Sequence, residues 1–290
     1  MQSQPLVSVI VPSFNHEKYV EECLQSVFSQ TYRNIQLIVI DDGSTDKSVE
    51  IIRRLNVVHP FIFETQQNAG ISKTLNKAIT CHARGKYIAI IASDDLWHYD
   101  KIRLQVEFAE KFPEYGMLSA KAKIINAQSK EIGEFDPVLF KGNFSFNEIA
   151  FGKCLIPAVT VLIRKDVFDV VGLFDESLVI EDLDMWLRIA DKYTVGFMNE
   201  FVAYYRRHGS NVSGRPVEMN RARFRILHKW ESLPPAIYNK IRRNMELQAL
   251  ADLSKIYPAE AEKYLNITFK NFLNAAYRKF ILRRLFKGQL

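Results

Sequence analysis

Three clusters in the sequence contain the residue types that bind metal ions or move protons. Ser93-Asp94-Asp95 follows the apolar run Tyr87–Ala92, and Glu181-Asp182-Leu183-Asp184 places three carboxylates within four residues. The third cluster, Tyr204–Asn211, includes His208 among cationic residues. These clusters could bind a metal ion or act as acids and bases. Each cluster also has an ordinary structural interpretation.

The Ser93-Asp94-Asp95 triplet can be interpreted in two ways. Carboxylates are the hard oxygen ligands that Mg²⁺ and Mn²⁺ accept, and such an ion would let a diphosphate approach two negative charges. Ser and Asp are also the residues that ordinarily follow a strand or begin a turn. Taken alone, the triplet supports the metal site and the turn about equally.

The acidic cluster around Asp182 and the histidine at position 208 leave similar alternatives. A carboxylate in a cleft can act as a general base, whereas acidic residues at a helix start are stabilised by the helix dipole. For Glu181 and Asp182, the segment alone favours the helix start. His208 is by itself typical of a structural or surface histidine, but its place after a strand and among cations that could face a phosphate strengthens the case for a ligand role.

Apolar runs in the N-terminal half predict strands that lie inside a sheet. Leu6–Val11, Ile35–Ile40 and Tyr87–Ala92 are apolar at nearly every position, which is typical of parallel strands covered on both faces. Between them, His16–Gln30 has the apolar spacing of a helix, with Asn15 as the predicted N-cap. This alternation predicts an α/β fold, a three-layer α/β/α sandwich with right-handed crossovers.

The predicted sheet brings three polar segments to one edge. In such sheets ligands bind beyond the carboxyl ends of the strands, and those ends carry Pro12-Ser13-Phe14-Asn15, Asp41-Asp42-Gly43-Ser44 and Ser93-Asp94-Asp95. The sequence has neither the G-x-G-x-x-G of dinucleotide folds nor the glycine-rich phosphate loop that ends in G-K-[ST]. An acidic edge without either loop needs a divalent metal before it can accept a diphosphate.

The remaining sequence predicts a mixed region followed by a helical extension. Strands are predicted at Gly116–Ile125, Ala158–Ile163 and Thr194–Tyr205, and a helix at Asp182–Lys192. From Arg215 the composition becomes helical, and Tyr264–Phe286 places apolar residues among cations at helical spacing. We therefore predict a catalytic domain over residues 1–214 and a basic helical C-terminal extension over residues 215–290.

The charge of the chain is divided unequally between these two parts. The 290 residues carry a formal charge of +6, but residues 1–214 hold 23 Lys/Arg and 27 Asp/Glu, whereas residues 215–290 hold 16 and 6. A basic excess confined to the last quarter argues against a nucleic-acid partner for the whole protein. The extension could contact an anionic membrane surface, or pack on the domain or on a second subunit.

Compartment and membrane topology are predicted from the cysteines and the apolar runs. The three cysteines are widely spaced and form no C-x-x-C pair, which is typical of a reducing compartment. The N-terminus lacks the pattern of a signal peptide, and no apolar stretch approaches the roughly 18–20 residues of a membrane helix. We expect a cytoplasmic protein whose membrane contact, if it has one, is peripheral.

A succession of motifs resembles glycosyltransferase family 2, the nucleotide-sugar-dependent enzymes of the GT-A fold. In chain order they are VSVIVPSFN (7–15), SVFSQTY (26–32), LIVIDDGSTD (37–46), NAGISKTLN (68–76), GKYIAIIASDD (85–95), VGLFDE (171–176), EDLDMWLR (181–188) and YRRHGSNVS (205–213). Each motif is weak to moderate alone, but the ordered set covers residues 7–213. The resemblance implies a GT-A, Rossmann-like nucleotide-diphospho-sugar transferase domain with a C-terminal helical extension.

The resemblance also assigns a role to individual residues. Asp182 corresponds to the catalytic base and Glu181 to an acceptor contact. Asp95 and His208 correspond to ligands of Mn²⁺ or Mg²⁺. The positions that bind the nucleotide sugar are Pro12, Ser13, Phe14, Asn15, Asp42, Asn68, Lys73, Ser93, Asp94 and Asp95.

Three departures from the family pattern refine what the resemblance implies. The triplet is Ser-Asp-Asp and not Asp-x-Asp, so metal binding would depend mainly on Asp95. Leu75 stands where many members have an arginine, and Lys73 could replace that contact. The Q-x-x-R-W signature of processive, membrane-embedded synthases is absent.

The resemblance implies an inverting, non-processive glycosyltransferase. It would move a sugar from a nucleotide-diphosphate sugar, with a UDP-sugar favoured, to a hydroxyl of a glycan or lipid-linked saccharide in cell-surface polysaccharide synthesis. The alternatives are a catalytically silent sugar-nucleotide-binding partner protein and a nucleotidyltransferase. An intact Glu181-Asp182 pair disfavours the first, and the lack of a glycine-rich phosphate loop near the N-terminus disfavours the second.

Overall fold

The computed structural model describes residues 4–135, 143–209, 211, 214–254 and 256–264. Within them the helices are α1 (Val20–Phe28), α2 (Ser48–Val58), α3 (Ile71–Lys77), α4 (Lys101–Lys111), α5 (Phe146–Ala150), α6 (Val167–Val171), α7 (Glu181–Lys192), α8 (Pro216–His228), α9 (Pro235–Leu253) and α10 (Pro258–Glu262). The strands are β1 (Val7–Ser13), β2 (Ile35–Asp41), β3 (Ile62–Thr65), β4 (Tyr87–Ile90), β5 (Leu96–Trp97), β6 (Tyr115–Ile125), β7 (Glu131–Phe135), β8 (Leu162–Arg164) and β9 (Thr194–Arg206).

The described strands form one mixed sheet in the order β3-β2-β1-β4-β8-β6-β9-β5, with β7 paired to β6. The pairs β1–β2, β1–β4 and β2–β3 are parallel, so these strands end at the same edge. The β4–β8 and β6–β8 pairs are antiparallel, whereas β6 and β9 run parallel. The three strands predicted in the N-terminal half are confirmed, and they align the strand-end segments as expected.

Both faces of the central strands are buried, as their sequence predicts. Val7, Val9 and Val11 belong to one core cluster, which also contains Cys23 and Leu24 of α1. Ile10, which alternates with these valines on β1, is buried outside that cluster. A strand with both faces covered gains burial from every side chain, which explains the nearly continuous apolar run.

Two predicted elements differ from the structure. The first helix begins at Val20, and Asn15 is not its cap: Asn15 adopts a positive φ of 54°, and its Oδ1 accepts the backbone N–H of Thr45 at 2.8 Å. The predicted strand over Ala158–Ile163 begins as a 3₁₀ turn over Ala158–Thr160, and the strand itself begins only at Leu162.

Contacts divide the chain into two compact units. Among the described residues, the first comprises those within 4–149, 153–176 and 181–208, and the second comprises those within 150–152, 177–180 and 209–264. Within the second unit, α9 and α10 share a small core of Ala249, Leu250, Leu253 and Ala261. The helix predicted over Tyr264–Phe286 lies almost wholly outside the described residues. Among the helices of the described ranges, none is both long and apolar enough to cross a bilayer.

Candidate functional site

The Ser93-Asp94-Asp95 triplet meets the end of β9 at the carboxyl edge of the sheet. His208 Nε2 lies 2.9 Å from Asp94 Oδ2, and Asp95 Oδ1 accepts the backbone N–H of Arg206 at 2.7 Å. The short strand β5 directly follows the triplet and pairs antiparallel with β9, with Leu96 opposite Tyr204. This pairing explains how residues more than 110 positions apart in the sequence form one site.

A second histidine, which the sequence did not single out, joins this group. His16 Nδ1 lies 2.8 Å from Ser93 Oγ, and His16 Nε2 lies 3.8 Å from Asp94 Oδ2. One ligand atom from each of His16, Asp94 and His208 falls within 4.8 Å of the others. The available signal was the position of His16 immediately after Asn15, in the loop that follows β1.

Charges in this group are unequally distributed between the two aspartates. Burial and the neighbouring Asp94 hold the pKa of Asp95 well above its ordinary value. Burial alone would raise the pKa of Asp94, but the hydrogen bond with His208 and the nearby His16 outweigh it, so this pKa is lowered. Burial lowers the pKa of His16 despite Asp94. Two adjacent buried carboxylates therefore do not both ionise readily unless a cation is present.

The donor set fits a divalent metal. Asp94, which is 7% exposed, supplies a carboxylate oxygen, and the imidazoles of His16 and His208 supply nitrogen. The neighbouring Asp95 is 4% exposed and lies outside this group of three. Two atoms bound to one ion at about 2.1 Å lie at most about 4.2 Å apart. The separations of 2.9 and 3.8 Å from Asp94 Oδ2 fall within that limit.

Arg206 is a buried arginine that positions the triplet and that the sequence analysis also missed. Its side chain is 0% exposed, and its Nε donates to the carbonyl of Asp94 at 2.6 Å. The guanidinium also donates to Glu22 Oε2 and to Ser129 Oγ, both at 2.8 Å. Its Cζ lies 4.8 Å from the ring centre of Tyr19. Arg206 thus connects the acidic edge of the sheet to α1 and to the β6–β7 turn.

The predicted nucleotide loops are held by carboxylates at the end of β2. Asp42 Oδ1 accepts the amide of Gln66 and the backbone N–H of Ala69, and Asp42 Oδ2 accepts the backbone N–H of Gly70, each at 2.8 Å. Gly43 has a φ of 81°, and a Cβ there would lie 2.8 Å from the backbone nitrogen of Asn68. The loop before α3 is therefore tied closely to the end of β2.

The loop after β1 is attached to the same region. Ser13 Oγ donates to Asp41 Oδ2 at 3.1 Å, and the backbone N–H of Asn15 donates to Ser44 Oγ at 2.8 Å. Pro12 is half-buried and Phe14 is 43% exposed. These contacts place the predicted base-binding segments side by side.

Two further predicted residues lie on the surface beside these loops. Asn68 and Lys73 are both exposed, on the loop before α3 and on α3 respectively. Leu75, at the position of the family arginine, is 2% exposed and packs inward. An arginine could not occupy that place without moving its charge out of the core, whereas Lys73 faces solvent.

Glu181 and Asp182 begin α7, in a third group of predicted residues. Burial and the neighbouring Asp182 raise the pKa of Glu181 to about 8. Asp182 Oδ1 accepts the backbone N–H of Leu183 at 2.6 Å. At pH 7 Glu181 therefore keeps its proton, and the pair avoids the repulsion of two adjacent charges. Glu181 and Asp182 do begin a helix. This position does not exclude Asp182 as a general base.

The start of α7 is positioned by residues of the preceding loop and by α3. Arg188 pairs with the fully buried Asp184 at 2.9 Å and donates to the carbonyl of Leu173 at 2.9 Å. Asn76 exchanges hydrogen bonds with the backbone of Phe174, both at 2.9 Å. Neither Asn76 nor Arg188 was predicted as a site residue; their side chains fix the segment that leads into Glu181 and Asp182.

Comparison with known proteins identifies relatives by sequence. The family model "Glycosyl transferase family 2" matches residues 8–142, which include the loops predicted to bind the nucleotide and the Ser93-Asp94-Asp95 triplet. The chain is 30% identical over 213 residues to the uncharacterised glycosyltransferase RT0329 of Rickettsia typhi, covering 72% of this chain and 66% of that protein. It is 29% identical over 223 residues to TuaG of Bacillus subtilis, assigned to teichuronic acid biosynthesis, covering 72% and 82%.

Solved structures resemble the fold over nearly the whole chain. S. aureus TarS 1–349 in complex with UDP-GlcNAc superposes with a TM-score of 0.67 at 18% identity, covering 98% of this chain and 92% of that one. The mannosyltransferase PcManGT of Pyrobaculum calidifontis, in complex with GDP-Man and Mn²⁺, gives 0.64 at 17%, covering 100% and 77%. The predicted fold class, an α/β fold of the GT-A type, is confirmed. With the ordered motifs, the family model and these relatives, the chain belongs to glycosyl transferase family 2.

Proposed function

We propose that the protein is an inverting, non-processive glycosyltransferase that uses a nucleotide-diphosphate sugar, with a UDP-sugar as donor. The contact between His208 and Asp94, at 2.9 Å on the acidic edge, carries the proposal. Through this contact, a buried carboxylate and an imidazole lie together beside the loops predicted to hold a nucleotide. The TarS complexes contain UDP or UDP-GlcNAc and the PcManGT complex contains GDP-Man with Mn²⁺, which supports a metal-dependent nucleotide-sugar donor.

The residues of the edge would divide the binding of the donor between them. Pro12, Phe14 and Asp42 would hold the base, with Asp42 oriented by its hydrogen bonds to the 66–70 loop. Asp94 would contact the ribose and the sugar, while Asp95 and His208 would hold Mn²⁺ or Mg²⁺. A divalent metal bound there would offset the negative charge that develops on the departing diphosphate.

Asp182 would be the catalytic base and Glu181 the residue that contacts the acceptor. Asp182 would take the proton of the acceptor hydroxyl as this oxygen attacks the anomeric carbon from the face opposite the leaving group. A single displacement of this kind inverts the configuration. Glu181, with its pKa raised to about 8, would donate a hydrogen bond to the acceptor at neutral pH.

The acceptor would be a glycan or lipid-linked saccharide in cell-surface polysaccharide synthesis. The relation to TuaG, assigned to teichuronic acid biosynthesis, supports this pathway class. The excess of 16 Lys/Arg over 6 Asp/Glu in residues 215–290 would bring a cytoplasmic enzyme to the inner face of an anionic membrane. Several described cations of this segment are already paired, such as Arg221 with Glu260 and Arg223 with Asp252. Such pairing is also compatible with packing within a homo-oligomer.

Incubation with a panel of nucleotide sugars and Mn²⁺ tests the reaction class. Release of nucleoside diphosphate, dependent on an added saccharide acceptor, is the result expected of the transferase. Release of pyrophosphate would instead indicate a nucleotidyltransferase. Binding of a nucleotide sugar without release of either product would identify a silent binding protein and refute the proposal.

A further inference from the structure

The position of His16 changes the ligand set that the family resemblance implies: His16 is added, and Asp94, which the resemblance assigns to the ribose and the sugar, lies with His208 in the same group. We propose that His16 Nε2 is a protein ligand of the metal, together with Asp94 and His208, and that its imidazole makes the site prefer Mn²⁺ to Mg²⁺. This inference rests on the proposed function, because a diphosphate donor is what gives the metal its role.

The geometry around Asp94 supports a shared ligand set. Asp94 Oδ2 lies 2.9 Å from His208 Nε2 and 3.8 Å from His16 Nε2, so both histidines present the same ring nitrogen to one carboxylate oxygen. The two imidazole planes are nearly perpendicular, at 87°, with their centres 5.8 Å apart. The two rings therefore meet edge to face and do not stack on each other.

The second nitrogen of His16 is already held. His16 Nδ1 lies 2.8 Å from Ser93 Oγ. When Ser93 accepts the Nδ1 proton, Nε2 presents its lone pair toward Asp94, which is the form that ligates a metal. Metal-binding histidines generally hydrogen-bond through the other ring nitrogen, and this contact sets the orientation of the ring. Ser93 would thus position His16, a role distinct from direct donor binding.

Neighbouring rings and the backbone hold His16 in place. The ring centre of Tyr19 lies 6.2 Å from that of His16 and 4.9 Å from that of His208, with the Arg206 guanidinium on Tyr19. The backbone N–H of His16 also donates to Ser48 Oγ at 2.9 Å. His16 is thus held by its backbone N–H, by its Nδ1 and by contact with the ring of Tyr19. Such fixed side chains are what a precise metal site requires.

Ligand chemistry leads from this geometry to the choice of metal. Mg²⁺ is bound mainly by oxygen ligands and waters, whereas imidazole nitrogen favours the first-row transition metals. Two imidazoles and one carboxylate therefore make a site that discriminates against Mg²⁺. The Asp95 carboxylate, whose Oδ1 accepts the Arg206 N–H, would complete the set or orient the edge.

Metal titration of the full chain tests this inference directly. Mn²⁺ binding is measured by electron paramagnetic resonance and Co²⁺ binding by its visible spectrum, each with and without UDP, with Mg²⁺ as competitor. His16→Gln is compared with His82→Gln, since His82 contacts Glu64 on β3 away from the cluster. We expect His16→Gln to weaken Mn²⁺ binding by about tenfold or more, to alter the Co²⁺ spectrum and to leave Mg²⁺ binding little changed.

A second variant separates ligation from a structural role. His16→Asp restores a ligand atom but replaces nitrogen with oxygen, so Mn²⁺ binding should persist with its preference over Mg²⁺ reduced. If His16→Gln binds Mn²⁺ as tightly as His82→Gln, with the wild-type Co²⁺ spectrum, His16 is not a ligand. If His16→Asp behaves like His16→Gln toward both metals, the role is structural and the inference fails. These titrations involve no sugar transfer, so a wild-type chain that binds Mn²⁺ through His16 but releases no nucleoside diphosphate refutes only the proposed function.

Discussion

Glu181→Gln tests whether the carboxyl of Glu181 is neutral in the folded protein. The raised pKa means that the folded chain holds this proton more tightly than the unfolded chain. Below the ordinary pKa of 4.5 both states are protonated, and above the folded-state pKa of about 8 both are ionised. As the pH rises between these values, only the unfolded state releases the proton, so the wild type loses stability. Glutamine carries no proton to lose, and the variant should not show this decline.

The size of the effect follows from the shift. One unit of pKa corresponds to about 1.4 kcal/mol, so a rise from 4.5 to about 8 corresponds to about 5 kcal/mol at most. Residual solvent around the half-buried carboxyl reduces this figure. Glu181→Gln should therefore unfold at a similar urea concentration to the wild type near pH 5. Near pH 9 it should be more stable by several kcal/mol.

Urea unfolding of both proteins between pH 5 and pH 9 measures this difference. Glu50→Gln, on an exposed position of α2, is the matched control and should follow the wild type at every pH. In the transfer assay, kcat/KM of the wild type should fall as the pH rises through about 8, because ionised Glu181 no longer donates to the acceptor. If the difference in unfolding free energy between the wild type and Glu181→Gln stayed constant from pH 5 to pH 9, Glu181 would not be neutral in the folded protein.

Four further changes test the rest of the site. Asp182→Asn should lower kcat by about 10²–10⁴-fold with donor binding nearly unchanged; near-native transfer would remove Asp182 as the base. Gly43→Ala should weaken nucleotide binding, since its φ of 81° and the backbone of Asn68 leave no room for a Cβ; unchanged calorimetric affinity for UDP would contradict this. Arg206→Met should lower the free energy of unfolding by about 1–3 kcal/mol, because the buried carbonyl of Asp94 loses its donor, and an unchanged urea midpoint would mean that the buried contacts are not stabilising. Anionic vesicles should float the full chain but not a chain lacking residues 215–290, and equal flotation would exclude membrane binding by this segment.

The sequence predicts the sheet edge well because the relevant signals are local. Strands covered on both faces have continuous apolar runs, and the polar residues that end them are adjacent in the sequence. The parallel pairs of β1, β2 and β4 then align these ends, which places Asp42 and Asp94 on one edge. These features require no knowledge of distant contacts.

Other parts of the site depend on contacts between distant residues. Arginine is mostly exposed in proteins, so nothing local to Arg206 predicts a fully buried guanidinium that contacts Glu22 across 184 residues. The hydrogen-bond partner of His16 Nδ1 is Ser93, 77 positions later in the sequence. Asparagine is a common helix cap, but Asn15 has a positive φ and its side chain accepts a hydrogen bond from Thr45, so it lies in a loop and does not cap α1.

The loop after β1 has a thermodynamic consequence of its own. The backbone N–H of Asn15 is bonded to Ser44 in the segment after β2, while the next residue, His16, reaches Ser93 and Asp94. Because residues 15 and 16 are adjacent, a ligand that displaced either of them would also move the other. Coupling between two binding sites is reciprocal: if a bound metal changes the affinity for the nucleotide by some factor, the bound nucleotide changes the affinity for the metal by the same factor. If Asp94 and the two histidines hold a metal as proposed, its affinity and the affinity for the donor would therefore be coupled through residues 15 and 16.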